Sequence, residues 1–407
     1  MTKSKYSDPF SDTRLGLIYS DLRTQGGQEE VIRILAEALN APIYTLDYEP
    51  EKFDKRAQEV FRHRVRKIPP EEGVGDSPTD FFEPQGAEYK QIASLSNLRE
   101  ADTDRIVCDG LIAISVKGAV MAEHAGIPYI TFLDHPGKVI TDYFWETLDN
   151  KDRWRDKLKF LKRRWVHSRA YKQACLDGEG MMANSERTKQ LVVDDWGFDP
   201  DDIDVVYPPI DTEKFTPGEP ERDVLDLNRY FLAPQRVEAY KNIHTLVEAA
   251  KLAQEHLVIV GTGTLESYVR KEAQYSKYVH YLGYVDDDVL RDLYRDATAT
   301  MQGVLREDFG MVPVESMACG TPCLLPGSGG FNETVGPGYD GDVAPTQTTP
   351  RGRLVDPEEF DHYELAGEMQ AFDPEEFDAE HLVETAQQYD VDNFVSGIER
   401  NLDALDL

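Results

Sequence analysis

The sequence predicts an α/β protein made of two doubly wound, Rossmann-like domains, and three observations carry that reading. Short apolar runs of strand character alternate with amphipathic helical stretches along most of the chain, the pattern of successive β-α units. Glycines follow several of those runs, at Gly26–Gly27, Gly261–Gly263 and Gly327–Gly330, where a chain turning from strand to helix needs conformational freedom. A length of 407 residues suits two domains, and Pro208–Pro209 makes a stiff boundary near the middle. The boundaries read as 1–209 and 210–384.

Composition narrows the functional classes. The chain holds 76 acidic against 44 basic residues, a net charge of −32, which argues against general nucleic-acid binding. Such a surface suits concentrated salt, which screens its self-repulsion, so a halophilic source is expected. The four cysteines, Cys108, Cys175, Cys319 and Cys323, show no metal-ligand spacing and read as reduced structural thiols. Residues 1–13 are polar, and no run of about 18 apolar residues occurs, so a cytoplasmic protein is expected.

In the first domain Leu15–Tyr19 is a buried strand, Gln25-Gly26-Gly27-Gln28 a turn that lets a ligand approach the backbone, and Glu29–Leu39 a helix. Residues 41–47 form a second strand. From Tyr48 to Thr103 the chain is polar, with helical patches near 54–63 and 88–98 and no assignable chemistry. Strands follow at 105–108 and 111–114, then a helix to His124 and a strand over 126–132. That strand ends in Asp134-His135-Pro136-Gly137-Lys138, polar groups at the edge where an open α/β sheet presents its site. Lys151–Lys172 holds ten Lys or Arg and only two acids, with Trp154, Leu158, Leu161 and Trp165 on one helical face. It reads either as a surface that docks on anionic lipid or as a helix packing its aromatic face inward with a solvated basic side. Ser185 is a natural N-cap for the helix that follows strand 180–183.

The second domain opens with strand 230–233, then Arg236 and Lys241 on the following loop and a helix over 244–252. Further units follow: strand 256–260 with helix 265–273, strand 279–285 with Asp286 capping helix 287–296, and strand 297–302. Arg306–Cys323 then joins loop, helix and strand. Gly310 permits a tight turn, Pro313 suits the first helical turn, and Gly320 with Pro322 ends the helix. Free N–H groups around 309–313 make an anion site, and Glu307 and Glu315 flank it. That combination suits a diphosphate lying between two polyhydroxylated rings. Its bland reading is an ordinary helix start with two solvated glutamates. Strands at 323–325 and 352–355 and helices at 360–370 and 378–405 complete the chain.

Glu307-x7-Glu315, followed by Ala318-Cys319-Gly320-Thr321-Pro322, resembles the E-x7-E signature of the family 4 retaining glycosyltransferases. So do Ala183-Asn184-Ser185-x-x-Thr188 and Val206-x-Pro208-Pro209-x-Asp211-x3-Phe215 at the end of the first domain. The resemblance implies the GT-B fold, two Rossmann-like domains facing each other across a cleft, with a C-terminal helix at about 385–407 crossing back to the first. It implies that Glu307 meets the donor sugar, Glu315 the ribose, and Arg236 and Lys241 the diphosphate. The donor would also meet Gly310, Met311 and Val312, Tyr284 in the loop that holds the base, and the Gly26–Gly27 turn. Family members often carry H-x-P-x-R on the acceptor side; aligning on Pro136 puts Lys138 at the basic position and Asp134 at the histidine position, with His135 beside it. No metal or cofactor is implied, the cations and helix end serving the leaving group instead.

The implied activity is retaining transfer of a hexose from a nucleoside diphosphate sugar to a sugar or lipid-linked acceptor. The basic helix and the acidic composition favour a lipid-linked glycan or lipid phosphate used in surface glycoprotein glycosylation, with the enzyme peripheral at the cytoplasmic membrane face through 151–172. Rival readings are a transferase acting on a soluble sugar or sugar phosphate, a nucleotide-sugar epimerase on the same fold, and a non-catalytic module.

Overall fold

The computed structural model describes residues 15–68, 98–99, 101–137, 142, 148–149, 153–222 and 224–405. The chain divides into two compact units, 1–207 with 394–407, and 208–393.

The first unit is a seven-stranded sheet. Its strands are β1 (Leu15–Ile18), β3 (Ile43–Thr45), β5 (Val65–Lys67), β6 (Gly110–Ile114), β7 (Tyr129–Leu133), β8 (Gly180–Ala183) and β9 (Ile203–Val205), in the order β5-β3-β1-β6-β7-β8-β9. All pairings are parallel, for example Leu17 against Ile43 and Leu17 against Ile112. Parallel strands need both faces covered, which is why β1, β6 and β7 are wholly buried apolar runs rather than alternating ones. Two short strands, β2 (Asp21–Leu22) and β4 (Asp47–Tyr48), pair beside the sheet. The chain leaves β1 for β3 on one side and reaches β6 on the other, so the order reverses beside β1, where ligands of such sheets bind.

The second unit repeats the plan with β10 (Phe231–Pro234), β11 (Leu257–Val260), β12 (Val279–Gly283), β13 (Ala299–Met301), β14 (Cys323–Pro326), β15 (Gln347–Thr349) and β16 (Gly352–Val355). The order is β12-β11-β10-β13-β14-β16-β15, parallel except for the β15–β16 hairpin. Here the reversal falls beside β10, between loops 235–242 and 302–310.

Two predicted elements differ. Residues 105–108 are not a strand: Val107 is exposed, and its N–H and carbonyl meet the Tyr44 hydroxyl at 3.0 and 3.2 Å instead of a sheet neighbour. The helix expected over 378–405 is broken into Ala379–Ala386 and Val391–Leu402, because Asp390 turns out of helical geometry and caps the second piece through Asn393 N–H at 2.7 Å. That last helix returns to the first unit, where Phe394 packs on Phe132 at 5.7 Å and Asn401 donates to Asp204 at 3.1 Å. The predicted patch at 88–98 lies almost wholly outside the described residues.

The basic helix spans Trp154–Leu176. Phe160, His167, Tyr171 and Ala174 are its buried side. Trp154 and Trp165, 66% and 64% exposed, lie with Leu158 and Leu161 on the opposite side, so the tryptophan face points to solvent and the inward-packing reading falls. Arg155 and Arg169 lie over the two indoles at 5.5 and 5.8 Å.

Candidate active site

Of the residues singled out in the second half of the sequence, Arg236, Lys241, Glu307 and Gly310–Val312 lie on the loops at the switch point of the second sheet. Helix Met311–Ala318 starts at Gly310, whose φ of +99° is the left-handed conformation that glycine adopts without cost. The N–H groups of Met311 and Val312 find no acceptor among the described residues, leaving a positive helix end open. Pro313 sits in the first turn, and Gly320, at φ +83°, ends the helix.

Glu307 leads into this helix on the loop after β13, and Lys241 lies on the loop after β10. Because β10 and β13 are neighbours, the two meet: Lys241 Nζ donates to Glu307 Oε2 at 2.8 Å, both largely buried. The pair is therefore preset, with the ammonium directed at the carboxylate beside the helix end. Arg236, one loop position after Gln235, is exposed on the same loop. Glu315, one turn into the helix, accepts from the hydroxyl of Tyr294 at 2.8 Å. Burial and the neighbouring Glu315 carboxylate hold the Tyr294 phenol far above its ordinary range, so it stays a donor. Tyr284 follows β12 and is exposed.

Residues that the sequence reading passed over fix these loops. Asn242 donates to the Gly303 carbonyl at 2.8 Å, tying loop 235–242 to loop 302–310. Glu238 accepts from Thr264 N–H at 3.0 Å, and Val237 exchanges backbone bonds with Thr262 and Leu265. Arg306 holds φ +70°, costly for a side chain with a Cβ, and its N–H is taken by Ser328 Oγ at 3.2 Å. Gly330 N–H donates to the Glu307 carbonyl at 2.7 Å, and a Cβ there would stand 2.5 Å from Phe309 Cα. Only the glycine spacing 327–330 hinted at this. Asp286 caps helix 287–296 through Val289 N–H at 3.0 Å, as its position suggested.

On the first unit, Gly26 is the uncapped start of helix Gly27–Ala38, beside β1. Asp134 is half-buried at the end of β7, its carbonyl taking the Thr188 hydroxyl at 3.1 Å. His135 is buried with both ring nitrogens engaged. Gly137 N–H donates to Nδ1 at 2.7 Å, so the proton sits on Nε2, which faces Asp142 Oδ2 at 3.2 Å. Arg187, wholly buried, donates to the same oxygen at 2.8 Å. Burial alone would raise the Asp142 carboxyl, but the bond from His135 and the charge of Arg187 outweigh it and hold it well below the usual carboxylate range. Of the two candidates at this strand end, His135 is thus committed internally. Lys138 lies outside the described residues.

This geometry meets the sequence of known proteins. Residues 25–214 match the family model described as Glycosyltransferase Family 4, and residues 220–363 the one described as Glycosyl transferases group 1. With both units covered, the chain belongs to the family 4, group 1 glycosyltransferases. Among curated proteins it is similar to a D-inositol 3-phosphate glycosyltransferase of Streptomyces bingchenggensis, 29% identical over 188 residues. That match covers 40% of this chain and 41% of the relative, so the chain spans about two fifths of the curated relative's length. Among solved structures it superposes on sucrose-phosphate synthase of Thermosynechococcus elongatus with a TM-score of 0.69 at 19% identity, over 96% of this chain and 99% of that one. Anabaena HepE, solved with UDP and glucose, gives 0.66 at 17% identity, over 96% and 99%. At such identities the likeness carries the fold alone, and the fold is GT-B.

Proposed function

We propose that this enzyme transfers a hexose from a nucleoside diphosphate sugar to an acceptor hydroxyl, with retention and without a metal. The carrying observation is the preset Lys241–Glu307 pair at 2.8 Å beside the open helix end at the switch point of the second sheet. The diphosphate lies on Met311 and Val312 N–H with Arg236 and Lys241 as counter-charges, Glu307 accepts hydroxyls of the transferred sugar, and Glu315 accepts those of the ribose. As the bond from the anomeric carbon to the diphosphate breaks, the departing oxygens keep the electron pair, and these cations and the helix end stabilise it. Tyr284 completes the donor contacts on the second unit. UDP is the first nucleotide to try, given that HepE was solved with it.

The acceptor reading we favour is a lipid-linked glycan. Its support is the Trp154–Leu176 helix, where an exposed Trp-Leu-Leu-Trp face is flanked by Arg155, Lys162 and Arg169 in a chain of net charge −32. Among the described residues no helix is long and apolar enough to cross a membrane, so contact through this helix would be peripheral. The acidic surface suits a halophile. A soluble sugar phosphate acceptor is the rival, given the relative's name.

The test is donor turnover in concentrated salt with UDP-, GDP- and ADP-hexoses, with and without membrane lipid extract, following free nucleoside diphosphate. Lipid-dependent release that vanishes in Glu307→Gln is expected. Release with a soluble sugar alone removes the lipid acceptor, and epimerised donor without any acceptor overturns the transferase.

A further inference from the structure

We infer that Gln235, Asn242 and Gln302 are positioning residues for Lys241, joined in a closed circuit of side-chain amides that carries the Lys241–Glu307 pair. What Lys241 does for the diphosphate is taken from the transferase reading; how the chain holds it is independent of that reading.

Three pairs of consecutive residues close the circuit, all in the second unit: 234–235 at the end of β10, 241–242 at the end of the loop that follows, and 302–303 directly after β13. In each pair one residue carries an amide that reaches a carbonyl of the next pair. Gln235 Nε2 donates to the Lys241 carbonyl at 3.3 Å, and Asn242 Nδ2 to the Gly303 carbonyl at 2.8 Å. Gln302 Nε2 returns to the Pro234 carbonyl at 3.5 Å, the loosest of the three. Because β10 and β13 are neighbours, the circuit bridges the two strand ends from which Lys241 and Glu307 depart.

The Lys241 peptide is held from both sides. No backbone N–H donates to its carbonyl among the described residues, so the amide of Gln235 is the donor it has. Gln235 is itself fixed: it is 7% exposed, its N–H donates to the Val260 carbonyl at 3.0 Å, and a Cβ on Gly261 would stand 2.2 Å from its carbonyl oxygen. On the other side, a Cβ on Gly303 would stand 2.8 Å from the Lys241 carbonyl oxygen, so the two loops close only over a glycine. Asn242 holds φ +50°, a conformation that persists where surrounding contacts impose it.

Uncharged clamps suit this place. A carboxylate or a further cation in the circuit would compete for Lys241 or Glu307, whereas amides fix the backbone and leave the ammonium for Glu307 and the leaving diphosphate. Gln235 Oε1 finds no donor among the described residues. Replacing this side chain by methionine therefore removes one bond and one unmet acceptor together, and folding should survive.

The test is a double-mutant cycle between Gln235→Met and Lys241→Met on the full chain, read in donor turnover and in UDP affinity by calorimetry. Gln235→Met should lower kcat about ten- to hundredfold, the scale of an ångström's misplacement, with donor KM within about twofold. UDP carries the charge that the leaving group develops, so its affinity should fall with kcat. In the Lys241→Met background, Gln235→Met should lower kcat by less than about twofold more, since a residue acting through Lys241 has nothing left to place. A merely structural role would multiply the two losses; that result, or kcat of Gln235→Met within about twofold of wild type, overturns the inference. Should Gln235→Met fail to fold, Gln302→Met at the loosest bond runs the same cycle with the same expected coupling. If wild type turns over no donor, the transferase reading falls and UDP affinity alone decides: non-additive losses keep the clamp, and additive losses overturn it as well.

Discussion

Replacing Lys241 by methionine separates what the Lys241–Glu307 pair does for stability from what it does for chemistry. The ammonium lies 2.8 Å from Glu307, with the two side chains 15% and 18% exposed. Breaking a fully buried pair costs about 3–5 kcal/mol, because the remaining charge is stranded. Partial solvent access here cuts that to about 1–2 kcal/mol. In a domain of this size that lowers the melting temperature of the second unit by about 2–8 °C. If Lys241 also meets the leaving diphosphate, turnover falls further, by about 10²–10³ for one lost preorganised donor. The double variant Lys241→Met/Glu307→Gln leaves no stranded charge, so most of the stability returns while turnover does not. Calorimetry and nucleoside diphosphate release at saturating donor measure the two effects. A lowered melting temperature with kcat within about threefold of wild type would refute the reasoning and leave Lys241 as a counter-ion only.

Gly330→Ala should cost about 1–3 kcal/mol and weaken UDP binding, because its Cβ would overlap the Phe309 backbone 2.5 Å away and displace the loop carrying Glu307; thermal shift with and without UDP reads both. Asp142→Asn strands the buried Arg187 and should cost about 3–5 kcal/mol at neutral pH. The depressed Asp142 pKa means its stabilisation is present above the ordinary carboxylate pKa of about 4 and is lost as pH falls below it. Urea melts should show wild type losing stability below about pH 4 and Asp142→Asn losing less. Trp154→Ser/Trp165→Ser, at exposed positions, should leave melting unchanged but reduce binding to anionic vesicles by about tenfold or more; unchanged sedimentation with vesicles would remove the membrane role.

The sequence alone determined the α/β class, the succession of β-α units and the loop and helix start that carry Glu307 and Glu315, because those signals are local. A buried parallel strand must be an apolar run, and a glycine turn and Pro313 announce a helix end wherever they fall. Glu307 and Glu315 stand on one loop and helix, so their spacing in sequence is nearly their spacing in space. What the sequence left open depended on distant segments meeting. Val107 read as strand, yet the hydroxyl of Tyr44, 63 positions away, takes its backbone groups. Asp134 and His135 were indistinguishable until Asp142, Arg187 and Gly137 claimed the histidine. The tryptophan face of the basic helix has one sequence and two possible directions, and only packing of Phe160, His167 and Tyr171 turned it outward.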